Sequence, residues 1–339
     1  MESVFTAAQP SFLVEQAEFV IYNYYGFKCF AEDIYSDRDQ NFYIRTSDKK
    51  EYILKISNSL EKKSVIMMQN EAIKFICRKD PAIVVPLICK STSGDEILEY
   101  KYKDNLFYVR LLQFVPGNFI KDQKKNQDSL FKIGSFLARL DNALEGFDHI
   151  AGHRDFAWNL SQKGFLIEFG KSLKTEKRRS IVESFLMKKT EYLRENHSYL
   201  REGIIHNDGN DHNIITDDDG NAIGIIDFGD MAYSYIASEP AIAMAYISIN
   251  SREPLLDMGN VLKGFHKFYK LSDAELRFTI YLVCLRLSIS VTMSSYRSSL
   301  FPDNKYLTIS ENRAWAFLKK MQKENLEQWA DKLLKYAKS

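Results

Sequence analysis

The sequence predicts an α+β fold in which a region built on antiparallel strands precedes a larger, mostly helical region. Two observations lead to this prediction. Strand-forming runs with turn residues between them are concentrated in the first third of the chain, whereas apolar residues recur at helical spacing from about residue 127 onwards. Between the two regions, Val115-Pro116-Gly117 is a natural stop, which divides the chain into residues 1–115 and 116–339.

The first region is predicted to contain a hairpin, one main helix and two further strands. The strand-forming runs 41–46 and 51–57 are separated by the turn-forming residues 47–50, as expected for a hairpin. From about Lys62 to Arg78, apolar side chains fall on one stripe of a helix. The further strand candidates are residues 82–89 and 106–114.

The second region is predicted to be helical with one hairpin inserted. The helices are expected from about residue 127, over 174–196, and throughout the chain after Pro240, with a last amphipathic helix over about 311–337. The strand-forming pieces 213–216 and 222–227 flank a turn rich in Asp, Gly and Asn. The most apolar stretch, 278–288, is interrupted by Arg286 and is too short to span a bilayer, so we expect a buried helix there.

Composition and charge argue against several classes of protein. The chain has 339 residues with 46 Lys and Arg against 45 Asp and Glu, so bulk positive charge does not favour nucleic acid or an anionic membrane as partner. The four cysteines include no Cys-x-x-Cys pair, which argues against a zinc site or a disulfide framework. The N-terminus lacks the pattern of a secretory signal. We therefore expect a cytoplasmic protein without nucleic-acid or membrane partners.

The most informative segment contains Asp208-x-x-x-x-Asn213 and, fourteen residues later, Asp227-Phe-Gly. Phosphoryl transfer from a nucleoside triphosphate accounts for each part. The acceptor hydroxyl must be oriented and must lose a proton, and Asp208 can do both. The triphosphate requires Mg²⁺, which prefers oxygen ligands, so Asn213 and Asp227 are expected to bind the metal. The predicted hairpin would bring Asp227 back beside the other two residues.

Lys55 and Glu71 lie where such an enzyme needs a phosphate-binding pair. Lys55 is in a predicted strand and can reach the α- and β-phosphates, and Glu71 on the next helix can hold its ammonium group. A strand lysine by itself is usually a solvated side chain. The order of this pair relative to the Asp208 segment is what points to function.

With these motifs the chain resembles the aminoglycoside phosphotransferase/choline kinase superfamily, a relative of the protein kinases, over nearly its whole length. Within that superfamily it looks most like the hydroxylysine kinase group. The segments that carry this closer similarity are 39–43, 52–58, 109–117, 153–154, 158–160, 210–214 and 226–231. The resemblance implies a bilobal protein-kinase-like fold, with an N-terminal sheet lobe that has one main helix and a helical C-terminal lobe that carries the catalytic-loop hairpin.

The resemblance also implies that ATP or GTP binds between the two lobes, with an acceptor near Asp208. The purine would lie on the backbone of the connecting strand, which here consists of Gln113, Phe114 and Val115. The phosphates would lie under residues 36–41. That segment has no glycine, so side chains such as those of Ser36 and Asn41, with backbone N–H groups, are expected to hold them.

One position departs from the pattern of the superfamily. Its members usually have His-Gly-Asp before the catalytic loop, whereas this chain has His206-Asn207-Asp208. If position 207 requires a positive φ, Asn is the least costly replacement for Gly. The loop can then keep its shape.

The acceptor is expected to be a small alcohol that carries an amine. Residues 203–251 contain eight acidic side chains and no Lys or Arg. Beyond those needed for catalysis and Mg²⁺, Asp211, Asp230 and Glu239 could attract a cationic amine. From the match at His153-Arg154, Arg154 is the candidate for the carboxylate of an amino-acid acceptor. Trp158 either stacks on the amine or belongs to the core.

The leading interpretation is a kinase that transfers the γ-phosphate of ATP or GTP to 5-hydroxy-L-lysine or a related amino alcohol. The alternatives within the enzyme class are an aminoglycoside or macrolide phosphotransferase and a choline, ethanolamine or homoserine kinase. A non-catalytic pseudokinase is the alternative outside that class. Asn207 and the glycine-free phosphate segment support it, but all five expected catalytic and phosphate-binding side chains are present.

Overall fold

The strands predicted in the first region belong to an antiparallel sheet in the computed structural model, which describes residues 4–123, 125–301 and 311–339. The strands are β1 Cys29–Ile34, β2 Gln40–Thr46, β3 Glu51–Ile56, β4 Ile88–Cys89, β5 Leu98–Tyr102 and β6 Asn105–Gln113. Their order is β1-β2-β3-β6-β4, and β5 also pairs with β6. Every pair is antiparallel, and the predicted hairpin is the β2–β3 pair.

The core of this region lies against one face of the sheet. Phe42 and Ile44 alternate along β2 with residues that are more exposed, so every second side chain of the strand is buried. Helix α1, Val14–Val20, which was not predicted, contributes Ala17 and Val20 to the same cluster. The predicted helix is α2, Lys63–Lys79.

The prediction of a strand over 82–89 is wrong for most of its length, because the strand there, β4, is limited to Ile88–Cys89. Pro86 has no N–H group and cannot donate to a strand ladder, which explains why strand β4 begins only after it. Strands β1 and β5 were not predicted.

The chain divides into two compact units. The first comprises Met1–Cys77 and Val84–Pro116, and the second comprises Arg78–Ile83 and Gly117–Ser339. The helices of the second unit are α3 Gln127–Leu144, α4 Gly164–Phe169, α5 Glu176–Asn196, α6 Ser238–Ser248, α7 Pro254–Phe268, α8 Asp273–Leu300, α9 Glu311–Met321 and α10 Leu326–Lys338.

Side-chain caps mark where several of these helices begin. Asn126, Thr175 and Ser272 accept hydrogen bonds from the backbone N–H groups of Ser129, Arg178 and Glu275. The predicted single helix over 311–337 is wrong, because Asn325 accepts from the N–H groups of Glu327 and Gln328 and starts α10 as a separate helix. Part of the helical stretch predicted after Pro240, at 302–310, lies outside the described residues.

Helices α3 and α7 pack closely because glycines face the neighbouring backbone. A Cβ at Gly134 of α3 would lie 1.9 Å from the carbonyl oxygen of Val261, and one at Gly264 of α7 would lie 2.0 Å from that of Phe131. No larger side chain fits at either position without separating the helices. This contact supports the helical frame of the second unit.

Helix α8 is the buried helix predicted around 278–288, but it is longer than predicted. By length and composition it could cross a membrane, yet 89% of its most apolar window is buried inside the protein, as in a core helix. Its capping residue Ser272 and the Glu275 side chain form a reciprocal capping box.

Two small antiparallel sheets in the second unit hold the segments singled out by the motifs. Strand β7, Asn118–Phe119, pairs with β9, Ile214–Thr216, which pairs with β10, Ala222–Ile225. Strands β8, Glu202–Ile205, and β11, Ala232–Tyr235, form the other pair. The segment 206–213 therefore connects β8 to β9, and the segment 226–231 connects β10 to β11. The predicted hairpin is the β9–β10 pair.

Candidate functional site

His206 anchors the beginning of the loop between β8 and β9. Its side chain is fully buried, its Nε2 lies 3.1 Å from the carbonyl oxygen of Ile226, and its Nδ1 lies 3.3 Å from the backbone N of Asp208. Since the carbonyl can only accept and the N–H can only donate, the ring is neutral with its proton on Nε2. Burial lowers the pKa of His206 to about 4, in agreement with this neutral form.

Asn207 adopts the left-handed conformation that the glycine pattern suggested, with φ of 65°. Its side-chain Nδ2 donates to the carbonyl oxygens of Asp230, at 3.0 Å, and Trp158, at 3.4 Å. Its backbone N–H donates to Glu239 Oε2 at 2.8 Å. Asn207 therefore joins three separate segments of the second unit, and a glycine here could make only the backbone bond to Glu239.

Asp208 is surrounded by hydrogen-bond donors. Its Oδ1 accepts from Arg286 Nη2 at 2.7 Å and Asn210 Nδ2 at 2.9 Å, and its Oδ2 accepts from Asn213 Nδ2 at 2.6 Å. Burial raises the pKa of the Asp208 carboxyl, whereas Arg286 lowers it. Because all three neighbours can only donate to these oxygens, the hydrogen bonds favour the ionised carboxylate.

Asn213 and Asp227 are brought together by the β9–β10 pair. The backbone N–H of Ile226 donates to the carbonyl oxygen of Asn213 at 3.0 Å, which places Asp227 one residue beyond this bond. Both acceptors facing Asn213 Nδ2 are oxygens of Asp208, so the amide orientation is fixed and its oxygen is turned the other way. Asp227 is exposed, has φ of 61°, and accepts the N–H of Gly229 at 3.3 Å.

The three carboxylates predicted to attract an amine differ in their surroundings. Asp211 Oδ2 lies 3.0 Å from Lys125 Nζ. Glu239 is fully buried, and a Cβ at Gly209 would lie 2.7 Å from its Oε1, so the loop backbone follows this carboxylate closely. Burial raises the pKa of Glu239 to about 7, although the hydrogen bond from the N–H of Asn207 lowers it. Asp230 is 7% exposed.

The two residues proposed from the resemblance at 153–160 lie beside the same loops. Arg154 Nη2 donates to the carbonyl oxygens of Gly229 and Met231, at 2.7 and 3.2 Å, and its guanidinium lies 3.9 Å from the centre of the Phe156 ring. Trp158 is half-buried. The guanidinium of Arg286 lies 4.3 Å from the centre of the indole ring.

Arg286 was not among the sequence-based candidates. It lies on α8, is 2% exposed, contacts Asp208, and donates from Nε to the Tyr246 hydroxyl at 3.2 Å. The sequence held one signal for it, since a single charge within an apolar stretch has to find a partner when that stretch is buried. Which carboxylate is the partner could not be read from the spacing.

The residues predicted to bind the nucleotide all lie in the first unit. Lys55 of β3 is 8% exposed, and its Nζ lies 3.3 Å from Oδ2 of Asp39, a partner that was not predicted. Asn41 of β2 is directly opposite Lys55 in the strand register. The half-buried Ser36 lies in the connection between β1 and β2, and Glu71 is exposed on α2. Gln113 ends β6, followed by Phe114 and the buried Val115.

The fold and the loop residues together define a class of protein. An antiparallel sheet unit is followed by a helical unit that carries an Asp-x-x-x-x-Asn loop and an Asp-Phe-Gly segment on paired strands, as in the small-molecule phosphotransferases with a protein-kinase-like fold. Comparison with known proteins agrees: the model of the Phosphotransferase enzyme family, APH, matches residues 32–278. The chain belongs to this family, and the predictions of its fold class and of an enzyme that phosphorylates an alcohol are confirmed.

Similar proteins extend over nearly the whole chain. Hydroxylysine kinase of Mus musculus is 33% identical over 343 residues, covering 93% of this chain and 90% of that protein. Hydroxylysine kinase of Bos taurus is 31% identical, with 92% and 90% covered. Among solved structures, an amicoumacin kinase in complex with AMP-PNP, Ca²⁺ and Ami has a TM-score of 0.70 at 15% identity, with 94% of this chain and 97% of that chain covered.

Proposed function

We propose that this phosphotransferase transfers the γ-phosphoryl group of ATP or GTP to the hydroxyl of 5-hydroxy-L-lysine or a closely related amino alcohol. The observation that carries the catalytic part is the 2.6 Å hydrogen bond from Asn213 Nδ2 to Asp208 Oδ2, which joins the base to the metal ligand. The choice of acceptor is supported by the similarity to hydroxylysine kinases at up to 33% identity over 93% of the chain.

In this proposal Asp208 is the catalytic base. It accepts the proton of the acceptor hydroxyl while the hydroxyl oxygen bonds to the γ-phosphorus, and the bond to the β–γ bridging oxygen breaks with its electron pair leaving on the nucleoside diphosphate. The hydrogen bonds from Arg286, Asn210 and Asn213 hold the carboxylate ionised and in one orientation. General-base assistance of this kind contributes about 10²–10⁴-fold to a rate.

Asn213 and Asp227 would hold Mg²⁺, which neutralises charge on the transferring phosphoryl group. The donor set fits, because the Asn213 amide presents its oxygen away from Asp208 and Asp227 adds an exposed carboxylate, both hard oxygen ligands. Within the described residues no group of three His, Cys, Asp or Glu side chains could hold a metal. Two protein ligands with phosphate and water oxygens are the usual arrangement for Mg²⁺.

Residues of the first unit would bind the nucleotide. Lys55 is the proposed ligand of the α- and β-phosphates, with Asp39 as the partner that orients it and Glu71 as a further counter-ion. Asn41 lies on β2 directly opposite Lys55, and Ser36 lies in the connection between β1 and β2. These two side chains would take the place of the missing glycines at the phosphates.

For the purine, we assign the backbone that follows β6. The N–H of Gln113 already donates to Leu87 and that of Phe114 to Glu51. This leaves the N–H of Val115 as the donor that we assign to the base. Side-by-side kinetics with ATP and GTP will show which purine is used.

The acceptor would lie against the loops of the second unit. Asp211, Asp230 and Glu239 remain the candidates for the amine. Asp211 contacts Lys125, and Glu239 accepts the N–H of Asn207, where we assign it a positioning role. Trp158 would form a wall of the site, with Arg286 packed against its indole ring.

Arg154 remains the candidate for the acceptor carboxylate, beside the two hydrogen bonds from its Nη2 to backbone carbonyls. Comparing 5-hydroxylysine with an amino alcohol that lacks the carboxylate tests this role. Arg154→Lys should raise KM for the amino acid and not for the amino alcohol. Equal KM changes would remove Arg154 from the acceptor site.

A panel of acceptors tests the proposed function. Purified protein is assayed for nucleoside diphosphate release with 5-hydroxylysine, an aminoglycoside, a macrolide, choline, ethanolamine and homoserine, and Asp208→Asn serves as the blank. We expect the highest kcat/KM with 5-hydroxylysine, and loss of turnover with retained nucleotide binding in the variant. Turnover of an antibiotic or choline without turnover of hydroxylysine would refute the acceptor, and an active Asp208→Asn would refute the base.

We also propose a cytoplasmic location. The four cysteines are all free thiols in the structure, which suits a reducing compartment.

A further inference from the structure

Arg286 reaches the loop around Asp208 from a distant part of the chain. It lies 78 residues further along, on α8, a helix whose residues are buried on every side in its middle. Its guanidinium contacts Asp208, the side chain that we assign as the base. The contact is therefore a product of tertiary packing and belongs to neither loop motif.

The hydrogen bonds of Asp208 leave little room on its carboxylate. Two carboxylate oxygens offer about four acceptor positions in total. Arg286 and Asn210 occupy Oδ1 with two donors, and Asn213 occupies one position of Oδ2. The remaining position on Oδ2 is then where a further donor, such as an acceptor hydroxyl, can bind.

The guanidinium of Arg286 is held on several sides. Its Cζ lies 4.3 Å from the centre of the Trp158 ring and 5.5 Å from that of Tyr246, and its Nε donates to the Tyr246 hydroxyl at 3.2 Å. A planar group that packs against two rings and is bonded at Nε can offer Nη2 in one direction only. Arg286 can therefore fix the orientation of the Asp208 carboxylate and not merely neutralise its charge.

Stability by itself does not account for this arrangement. Arg286 Nη1 is closed to solvent and has no hydrogen-bond partner among the described residues, and an unsatisfied buried donor costs about 1–3 kcal/mol. Buried ion pairs are often no more stable than apolar side chains of the same volume. A role in catalysis explains why a partly unsatisfied arginine lies here.

We propose that Arg286 is a positioning residue for phosphoryl transfer, which occupies Oδ1 of Asp208 and so presents Oδ2 to the acceptor hydroxyl. This inference rests on the proposed function, with Asp208 as base. Since Nη1 is closed to solvent and Nη2 is used by Asp208, Arg286 does not contact the acceptor. Its loss should therefore change kcat and leave KM for the acceptor and the nucleotide nearly unchanged.

The test compares Arg286→Lys and Arg286→Ala with a matched control, Arg297→Lys. Arg297 is 3% exposed on the same helix and lies three turns, or about 16 Å, further along. We expect kcat of Arg286→Lys to fall about 10- to 100-fold, because a small displacement of a catalytic group has this effect on a rate. KM should stay within about 2-fold, and Arg297→Lys should keep the kcat of the unmodified protein.

Chemical rescue separates positioning from a merely structural role. Added guanidinium or ethylguanidinium should restore part of kcat in Arg286→Ala, because the planar donor can return to Oδ1, whereas added ammonium should not. Thermal melting of each variant shows that the compared proteins are folded. If Arg286→Ala does not fold, Arg286→Lys still tests the inference, because lysine keeps the positive charge and lacks the planar guanidinium donor.

The outcomes distinguish this inference from the proposed function. Collapse of activity in Asp208→Asn with unchanged kcat in Arg286→Lys overturns the inference alone. A raised acceptor KM with unchanged kcat in Arg286→Lys makes Arg286 an acceptor ligand and also overturns it. An active Asp208→Asn overturns the base and the inference together. If no hydroxyl acceptor is turned over, slow hydrolysis of the nucleotide by water provides the rate, and equal hydrolysis by Arg286→Lys counts against the inference.

Discussion

Replacing Asn207 offers a direct test of how the loop at Asp208 is built. Two features of this side chain matter: it tolerates a φ of 65°, and its Nδ2 bonds the carbonyl oxygens of Asp230 and Trp158. Asn207→Gly removes the hydrogen bonds and keeps the backbone conformation accessible. Asn207→Ala removes the hydrogen bonds and adds strain in the left-handed region.

The structure sets the expected size of each effect. The 3.0 Å bond to Asp230 is the stronger of the two, and leaving its buried carbonyl unsatisfied costs about 1–3 kcal/mol. Asn207 Oδ1 has no hydrogen-bond partner among the described residues, so its removal offsets part of this loss. We expect Asn207→Gly to lower the free energy of unfolding by about 1–2 kcal/mol. Asn207→Ala should lower it by roughly a further 1 kcal/mol because of its positive φ.

Urea denaturation measures these free energies, and steady-state kinetics with the best acceptor measures the effect on the loop. Both variants should lower kcat, because Asp208 follows directly and position 207 loses its side-chain bonds to Asp230 and Trp158. The alanine variant should be the slower of the two. Equal stability of the glycine and alanine variants would show that φ at 207 is not strained, and unchanged stability of both would refute the role of the Nδ2 hydrogen bonds.

Three further predictions concern the same unit. The folded pKa of His206, about 4, lies below its ordinary value of 6.5, so between these pH values the unfolded chain binds a proton that the native protein does not. Unfolding free energy should fall by up to about 3 kcal/mol as pH drops from 6.5 to 4, and urea titrations at several pH values should show a flatter dependence for His206→Gln. Gly134→Ala should lower the free energy of unfolding by about 3 kcal/mol or more, because its Cβ would lie 1.9 Å from the carbonyl oxygen of Val261. Gly164→Ala, with open space around it, should keep the melting temperature within a few degrees or raise it. Equal melting temperatures of the two variants would contradict the close helix contact. Tyr246→Phe, which removes the acceptor of Arg286 Nε, should lower kcat less than 10-fold and leave KM unchanged, and a larger change in KM would place Tyr246 at the acceptor.

Much of the fold could be predicted because its signals are local. The β2–β3 hairpin, helix α2 and the β9–β10 hairpin each combine a regular apolar spacing with turn residues at the right place. The misjudged elements depended on signals of another kind. Pro86 limits β4 to two residues, and Asn325 divides the predicted last helix into α9 and α10. In both cases one residue's hydrogen-bonding capacity outweighed the apolar pattern around it.

The sequence by itself determined the family and predicted the loop residues that we propose as catalytic. Asp208 and Asn213 lie five residues apart on one short loop, so their spacing alone predicts that they act together, and the structure joins them at 2.6 Å. The hairpin between them and Asp227 is equally local. These features depend on contacts between residues close in the chain, which a linear pattern can express.

Only the tertiary structure decided which side chains contact the predicted residues within each unit. Arg286 meets Asp208 because packing places the middle of α8 beneath the loop, and Asp39 meets Lys55 because the connection between β1 and β2 folds beside β3. Tertiary packing also brings Arg154 to the carbonyl oxygen of Gly229 and buries Glu239 against the backbone N–H of Asn207. A buried charge must find a partner, but several carboxylates were available, and the choice among them was made by packing across the whole unit.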